Sequence, residues 1–166
     1  MVTKLDKITE NVVQLLEGMD CTVSTAESCT GGMVSARLTA IAGASEVFGC
    51  GVCTYSNEMK MQLLGVNEET LAAHGAVSPE TALEMAKGVR KLSGADFGIS
   101  ITGIAGPGGG TPEKPVGLVY IAVDSEKYTK TEKLLLSRGR ENERTMIRTL
   151  AANNALRLLI EAVTKY

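Results

Sequence analysis

The sequence predicts a three-layer α/β/α domain on a mixed, largely parallel sheet, and three observations carry that prediction. In the first hundred residues, segments with strand-like alternation take turns with segments of helical spacing. The two strand-like segments after residue 115 follow one another with only a short turn between them, as a hairpin does. The chain has 166 residues, 44% of them hydrophobic, with mixed charges and a net charge of −2, which suits one globular domain with a real core. The domain is expected to cover residues 1–166, with no internal repeat and no linker.

Leu5, Ile8, Val12, Leu15 and Leu16 recur at helical spacing, so the chain opens with an amphipathic helix over 4–18. CTVSTA, 21–26, alternates and is rich in β-branched residues, as a strand is. After the Gly31–Gly32 pair, MVSARLTAIAG reads as a buried helix ending at Gly43. A strand over 49–55 runs into NEMKMQLLG, a short helix that Ser56 can cap. In LAAHGAVS, Gly75 reads as a helix C-cap and His74 as a cation at the negative helix end, with a catalytic role as the alternative. Ser78, Pro79 and Glu80 give a cap, a first-turn proline and an early acid, opening a helix from 79 to about 92. DFGISIT, 96–102, is a strand, and 103–115, with five glycines and three prolines, is loop. Strands over 116–123 and 129–137 form the hairpin, and a helix over about 141–163 closes the chain.

Composition excludes several functions. Basic residues are interspersed with acids, so no basic stripe meets a nucleic acid. No apolar run reaches the ~20 residues of a membrane span and the N-terminal stretch is charged throughout, so a cytoplasmic protein is expected. Cys21, Cys29, Cys50 and Cys53 fit buried thiols better than a disulfide framework, and Cys50-x-x-Cys53 lies in a strand with no second pair to complete a zinc site. A single histidine excludes a His-rich metal site. No metal and no cofactor are expected.

Three of the strands end in unusual sequence: ESCTGG, SNEMK and GIAGPGGG. In an open α/β sheet the carboxyl ends of parallel strands share one edge, where ligands bind, so these motifs can meet. In AESCTGG, 26–32, a turn with two glycines lets the backbone approach a ligand and aims helix-start amides, those of Thr30, Gly31 and Gly32, at an oxyanion. Ser28 is then a nucleophile; alternatively Ser28 or Thr30 is a plain N-cap. Cys29 is intrinsically the better nucleophile but has no local partner to stabilise its thiolate. Lys60 falls in or just past the first turn of a helix, where the macrodipole penalises a second positive charge, and shielding from water would carry it further toward a general base. Tyr55 is placed to relay a proton or orient that base; the bland alternative is a solvated lysine and a packed tyrosine. The glycine-rich loop is neither a Walker A loop nor a GxGxxG helix opening, yet its amides and the Thr102 and Thr111 hydroxyls can surround a phosphate or sugar.

AESCTGG, VCTYSNEMK with LLGV after it, HGAVSPE and TGIAGPGGGTPEKPVGLVY resemble, in order and spacing, the CinA C-terminal domain family over residues 5–163. The resemblance implies a metal-independent amidohydrolase converting nicotinamide mononucleotide and water to nicotinic acid mononucleotide and ammonia, within pyridine-nucleotide salvage. It implies Ser28 as nucleophile, Lys60 as base and Tyr55 as assistant. It implies substrate contacts at Thr102 and Arg140, the glycine loop (Gly103, Gly106, Gly108, Gly109) and Arg140 taking ribose and phosphate. The expected partner is therefore a small nucleotide, with self-association into a homo-oligomer. Many family members carry a larger N-terminal domain, whose activities are not carried over to this chain. The alternatives are a nucleotide-binding or regulatory module without turnover, and an amidase for another carboxamide.

Overall fold

The computed structural model describes residues 4–141 and 143–166, with no account of the side chains of residues 4–6. Leu5 of the opening helical pattern therefore lies outside the described side chains. In chain order the elements are α1 (Lys4–Gly18), β1 (Val23–Glu27), α2 (Met33–Thr39), α3 (Ala44–Val47), β2 (Phe48–Cys53), α4 (Asn57–Leu64), α5 (Glu68–His74), α6 (Pro79–Ser93), β3 (Phe97–Gly103), β4 (Leu118–Asp124), β5 (Thr129–Leu135) and α7 (Arg144–Thr164).

The sheet order is β2-β1-β3-β4-β5. β1 pairs in parallel with β2 and β3, while β3–β4 and β4–β5 are antiparallel, so four of the five strands point the same way. Helices α1, α2 and α7 pack together over one face, and α6, with α4 and α5 against it, covers the other. This is the mixed three-layer α/β/α arrangement that the alternation predicted. The core between α7 and the sheet is closed by Ile147, Leu156 and Leu159 from the helix and Ile99, Ile101 and Ile121 from the strands, all fully buried. Each such side chain contributes about 1.5–3 kcal/mol.

Position in the sheet accounts for the differences from the sequence reading. β1 is buried at all five positions, polar Ser24, Thr25 and Glu27 included, because it is sandwiched between layers. β2 is an edge strand with alternating half-buried and exposed positions. Cys50 is accordingly half-buried and Cys53 exposed, which corrects the expectation of four buried thiols; Cys21 and Cys29 are buried, and all four are unpaired. The helix expected to run to Gly43 stops at Thr39, whose hydroxyl turns back to donate to the Ser35 and Ala36 carbonyls. Gly43, at φ 86°, instead opens the one-turn α3. His74 does end α5, with Gly75 as its cap.

Two strand crossovers position the site. From β1 the chain moves outward to β2, then returns across β1 to β3, so the carboxyl ends of β1, β2 and β3 lie side by side where the winding reverses. The helix carrying Lys60, α4, is seated on α6 by close backbone approach: a Cβ on Gly88 of α6 would collide with the Leu64 carbonyl at the end of α4.

Candidate active site

Ser28 follows β1 directly. Its backbone N–H donates to the Ile101 carbonyl (2.9 Å) of the neighbouring strand β3, which fixes the strand end, and its side chain is only 8% exposed. Lys60 reaches it from α4. The Ser56 hydroxyl caps that helix by accepting from Met59 N–H (3.2 Å), and one turn in, Lys60 and Leu64 share the buried face. Lys60 is 1% exposed.

The Lys60 Nζ lies 3.2 Å from Ser28 Oγ, 2.8 Å from the Thr54 carbonyl and 3.4 Å from the Tyr55 carbonyl. These partners are uncharged oxygens. Burial therefore lowers the lysine's pKa below its ordinary 10.5, with a small opposing influence from the Cys29 and Glu58 sides. Desolvation, more than the helix end invoked from sequence, is the cause. A neutral amine donates its two N–H groups to the two carbonyls and keeps its lone pair for the Ser28 hydroxyl. Cys29 has the opposite disposition: burial raises its thiol to about 11, far from thiolate formation at neutral pH.

Ser28, Cys29, Tyr55 and Lys60 line one cavity of about 270 Å³ with Ala76, Val77, Thr102, the glycine loop (Gly103, Gly106, Gly108, Gly109) and Arg144. Thr102 spends its proton on the Ala76 carbonyl (2.7 Å), tying β3 to the segment before α6. Gly106, at φ 78°, needs the absence of a side chain, because a Cβ there would stand 2.7 Å from Val116 Cγ1. Lys114 donates to the His74 carbonyl, fastening the loop to the end of α5. A larger recess of about 640 Å³ between α4 and α6 is lined by Leu63, Leu92 and Gly88 and lacks a nucleophile, so size does not locate the chemistry.

Several sequence-predicted residues are placed differently. Thr30, Gly31 and Gly32 do not line the cavity. Gly31 N–H donates to the Ser28 carbonyl within the turn (3.1 Å), and the second and third helical amides of α2, Val34 and Ser35, donate to the Glu27 carboxylate. The helix start is thus filled by the protein's own anion. The glycine pair serves backbone geometry instead, with φ of 59° and 89°, and a Cβ on Gly32 would sit 3.4 Å from Cys53 Sγ. Tyr55 reaches Lys60 through its carbonyl, whereas its hydroxyl accepts from Arg144 Nη2 (3.2 Å), so the phenol does not stand between Ser28 and Lys60. Arg140 lines an adjoining recess of about 410 Å³ that shares Ala105 and Arg144 with the Ser28 cavity. Thr111 is exposed and accepts from Lys114 N–H in the loop's own turn. His74 pairs loosely with Glu80 at 3.8 Å, outside the cavity lining.

Three positions around the site escaped the sequence reading. Arg144 bridges the Gly106 carbonyl (2.6 Å) and the Tyr55 hydroxyl at the cavity wall. Arg148, one turn on, donates from Nε to the Cys29 carbonyl (3.0 Å) and from Nη2 to the Thr30 carbonyl (2.7 Å). Arg144 opens a helix whose first turn holds no acid, where the macrodipole disfavours a cation by about 0.3–1 kcal/mol. That misfit was a readable signal. Glu27, fully buried beside Ser28, is the third. Among the described residues no cluster of three or more metal-ligating side chains forms, and no helix is long and apolar enough to cross a membrane.

Proteins of similar sequence and fold are known. A family profile described as CinA C-terminal domain matches residues 5–163. A competence-damage inducible protein of Caldanaerobacter subterraneus is 54% identical over 84% of this chain and 34% of its own length. A CinA-like protein of Kosmotoga olearia is 52% identical over 91% of this chain and 36% of its own length. The chain thus spans about a third of these curated relatives. Among solved structures, the competence/damage inducible protein CihA from Agrobacterium tumefaciens superposes with a TM-score of 0.92 at 41% identity, covering 98% of this chain and 96% of that one. A CinA superfamily protein from Klebsiella pneumoniae gives 0.92 at 34% identity, covering 99% and 100%. On the match to nearly its whole length and on these relatives, the chain belongs to the CinA C-terminal domain family.

Proposed function

We propose that this protein hydrolyses the carboxamide of nicotinamide mononucleotide, giving nicotinic acid mononucleotide and ammonia. The observation that carries the reading is the buried Lys60 amine 3.2 Å from Ser28 Oγ, lowered in pKa and held by two carbonyls. Lys60 takes the Ser28 proton as Oγ attacks the carboxamide carbon. The oxygen that gains charge is assigned to backbone amides on the cavity wall, for which Cys29, Ala105 and Gly106 are the candidates, since they line the cavity and among the described residues no backbone carbonyl accepts from them. The C–N bond breaks, and the nitrogen leaves as ammonia with the proton returned by Lys60. Water then attacks the ester, passing a proton to Lys60 and through it to the departing Ser28 oxygen.

Size and charge support a nucleotide. A cavity of about 270 Å³ is at the small end of ligand sites and suits the carboxamide ring. The ribose and phosphate extend past Ala105 and Arg144 into the adjoining recess, where Arg140 and Arg144 meet the phosphate; Glu141 and Glu143 line the same recess, Glu143 being taken up by the Ser137 hydroxyl and the Arg138 amide. Tyr55, 64% exposed at the mouth, offers a flat face to the pyridine ring. Ammonia release from nicotinamide mononucleotide is the test. The wild type is expected to turn over and Ser28→Ala to lose activity; equal activity in both refutes the nucleophile, and binding without turnover by the wild type points to a sensing module.

A further inference from the structure

The geometry points to Glu27 as a positioning residue that sets where the Ser28 hydroxyl stands relative to Lys60, an inference that rests on Ser28 being the nucleophile. Glu27 is the last residue of β1, fully buried, and does not line the substrate cavity. Its carboxylate turns to the far side of the turn. Oε2 accepts from Val34 N–H (3.1 Å), and Oε1 accepts from Ser35 N–H (2.8 Å) and the Ser35 hydroxyl (2.8 Å). Ser35 Oγ also lies 2.7 Å from Thr25 Oγ1, so the bonds lead back into β1.

A buried carboxylate is a costly way to cap a seven-residue helix, since a serine or asparagine side chain can do so without carrying charge into the interior. What the carboxylate adds is reach and multiplicity: two oxygens hold two successive amides and a hydroxyl, so α2 is fixed to the residue next to the nucleophile. From the other side Arg148 grips the Cys29 and Thr30 carbonyls, and Ile101 holds the Ser28 amide. The turn is thus clamped by opposite charges that never touch the cavity, and Ser28 Oγ is delivered to Lys60 from a fixed backbone. Burial, more than either clamping charge, keeps the Cys29 thiol protonated, leaving the hydroxyl as the reactive group of the turn.

Glu27→Gln keeps the length but sets an NH2 group against a backbone or hydroxyl donor, so one anchor of the turn is lost. A displacement near 1 Å at a reacting atom costs about 100-fold in rate, so kcat on nicotinamide mononucleotide is expected to fall about 10- to 100-fold while KM changes less than about threefold. Covalent labelling of Ser28 by a small sulfonyl fluoride, followed by intact mass, should slow in parallel, and the Val34 and Ser35 amides should exchange faster in a protein whose circular dichroism is unchanged. A merely structural glutamate would lower the melting temperature and leave kcat per folded molecule intact; that result, or unchanged labelling, overturns the proposal. Should Glu27→Gln fail to fold, Ser35→Ala, which removes one of the three bonds, takes its place. Slower labelling of Ser28 in Ser35→Ala supports the clamp and an unchanged rate overturns it. A wild type that is labelled at Ser28 yet releases no ammonia from the mononucleotide defeats the substrate reading alone, and the labelling arm still decides Glu27. A wild type that is not labelled at Ser28 overturns both.

Discussion

Replacing Lys60 with methionine keeps an unbranched side chain of similar length and removes the amine. In the native protein that amine is 1% exposed, 3.2 Å from Ser28 Oγ, and surrounded by uncharged oxygens. On the proposed mechanism that distance lets the proton pass directly, with no intermediary, so the variant is expected to lose the whole general-base contribution, about 100- to 10,000-fold in kcat. At 1.36 kcal/mol per tenfold, that is about 3–5 kcal/mol of transition-state stabilisation. The pH dependence has a definite sign. Acylation needs the neutral amine, so its rate rises with pH through the lysine's depressed pKa and levels off before 10.5 is reached. Stability follows the same titration: between the lowered native pKa and the unfolded value of 10.5 the unfolded chain binds more protons, so wild-type stability rises with pH across that window. Below the window lysine is charged in both states and the penalty of burying the charge is constant. Lys60→Met should abolish the rising limb in both measurements, ammonia release under saturating substrate and denaturant midpoints taken from pH 7 to 10. A variant retaining more than about a tenth of wild-type kcat, or an unaltered rising limb, would refute the assignment of Lys60 as the base.

Other substitutions test the remaining parts. Arg144→Met removes charge-assisted bonds worth about 1.5–3 kcal/mol, so KM for the nucleotide should rise about 10- to 100-fold, with a smaller rise for Arg140→Met because Arg140 borders only the outer recess. Steady-state kinetics on both variants would show whether that order is reversed. Cys29→Ala should leave kcat within about threefold, since a thiol raised to about 11 contributes no thiolate at neutral pH, and iodoacetamide should inactivate the wild type no faster than it inactivates this variant. Gly32→Ala puts a Cβ on a residue at φ 89° and should cost about 1–2 kcal/mol in urea unfolding. No loss there would mean that the turn relaxes to another conformation.

What was legible in the sequence was local. Alternation, helical spacing, the Ser56 and Ser78 caps and the glycine stops are decided by residues within a turn or two of each other, and these gave the order of elements, the hairpin and the three-layer class. The helix expected through Gly43 failed for a local reason also, the Thr39 hydroxyl turning back on its own helix. Ser28 and Lys60 could be paired from sequence because strand ends in a parallel sheet share an edge and the four motifs resemble one family. Which groups face that edge was decided by contacts across the winding of the sheet. Glu27 takes the Val34 and Ser35 amides of α2, just past the Thr30–Gly32 amides that sequence offered to an oxyanion; Arg144, from the far end of the chain, meets Tyr55 across 89 positions; and Arg148 meets Cys29 across 119. Sequence fixes which side chains carry charge or a lone pair, whereas their solvation and their partners exist only once the layers close. The pKa of Lys60 is lowered by burial on α4 against α6, a property of the packed layers that no neighbouring residue in the chain confers.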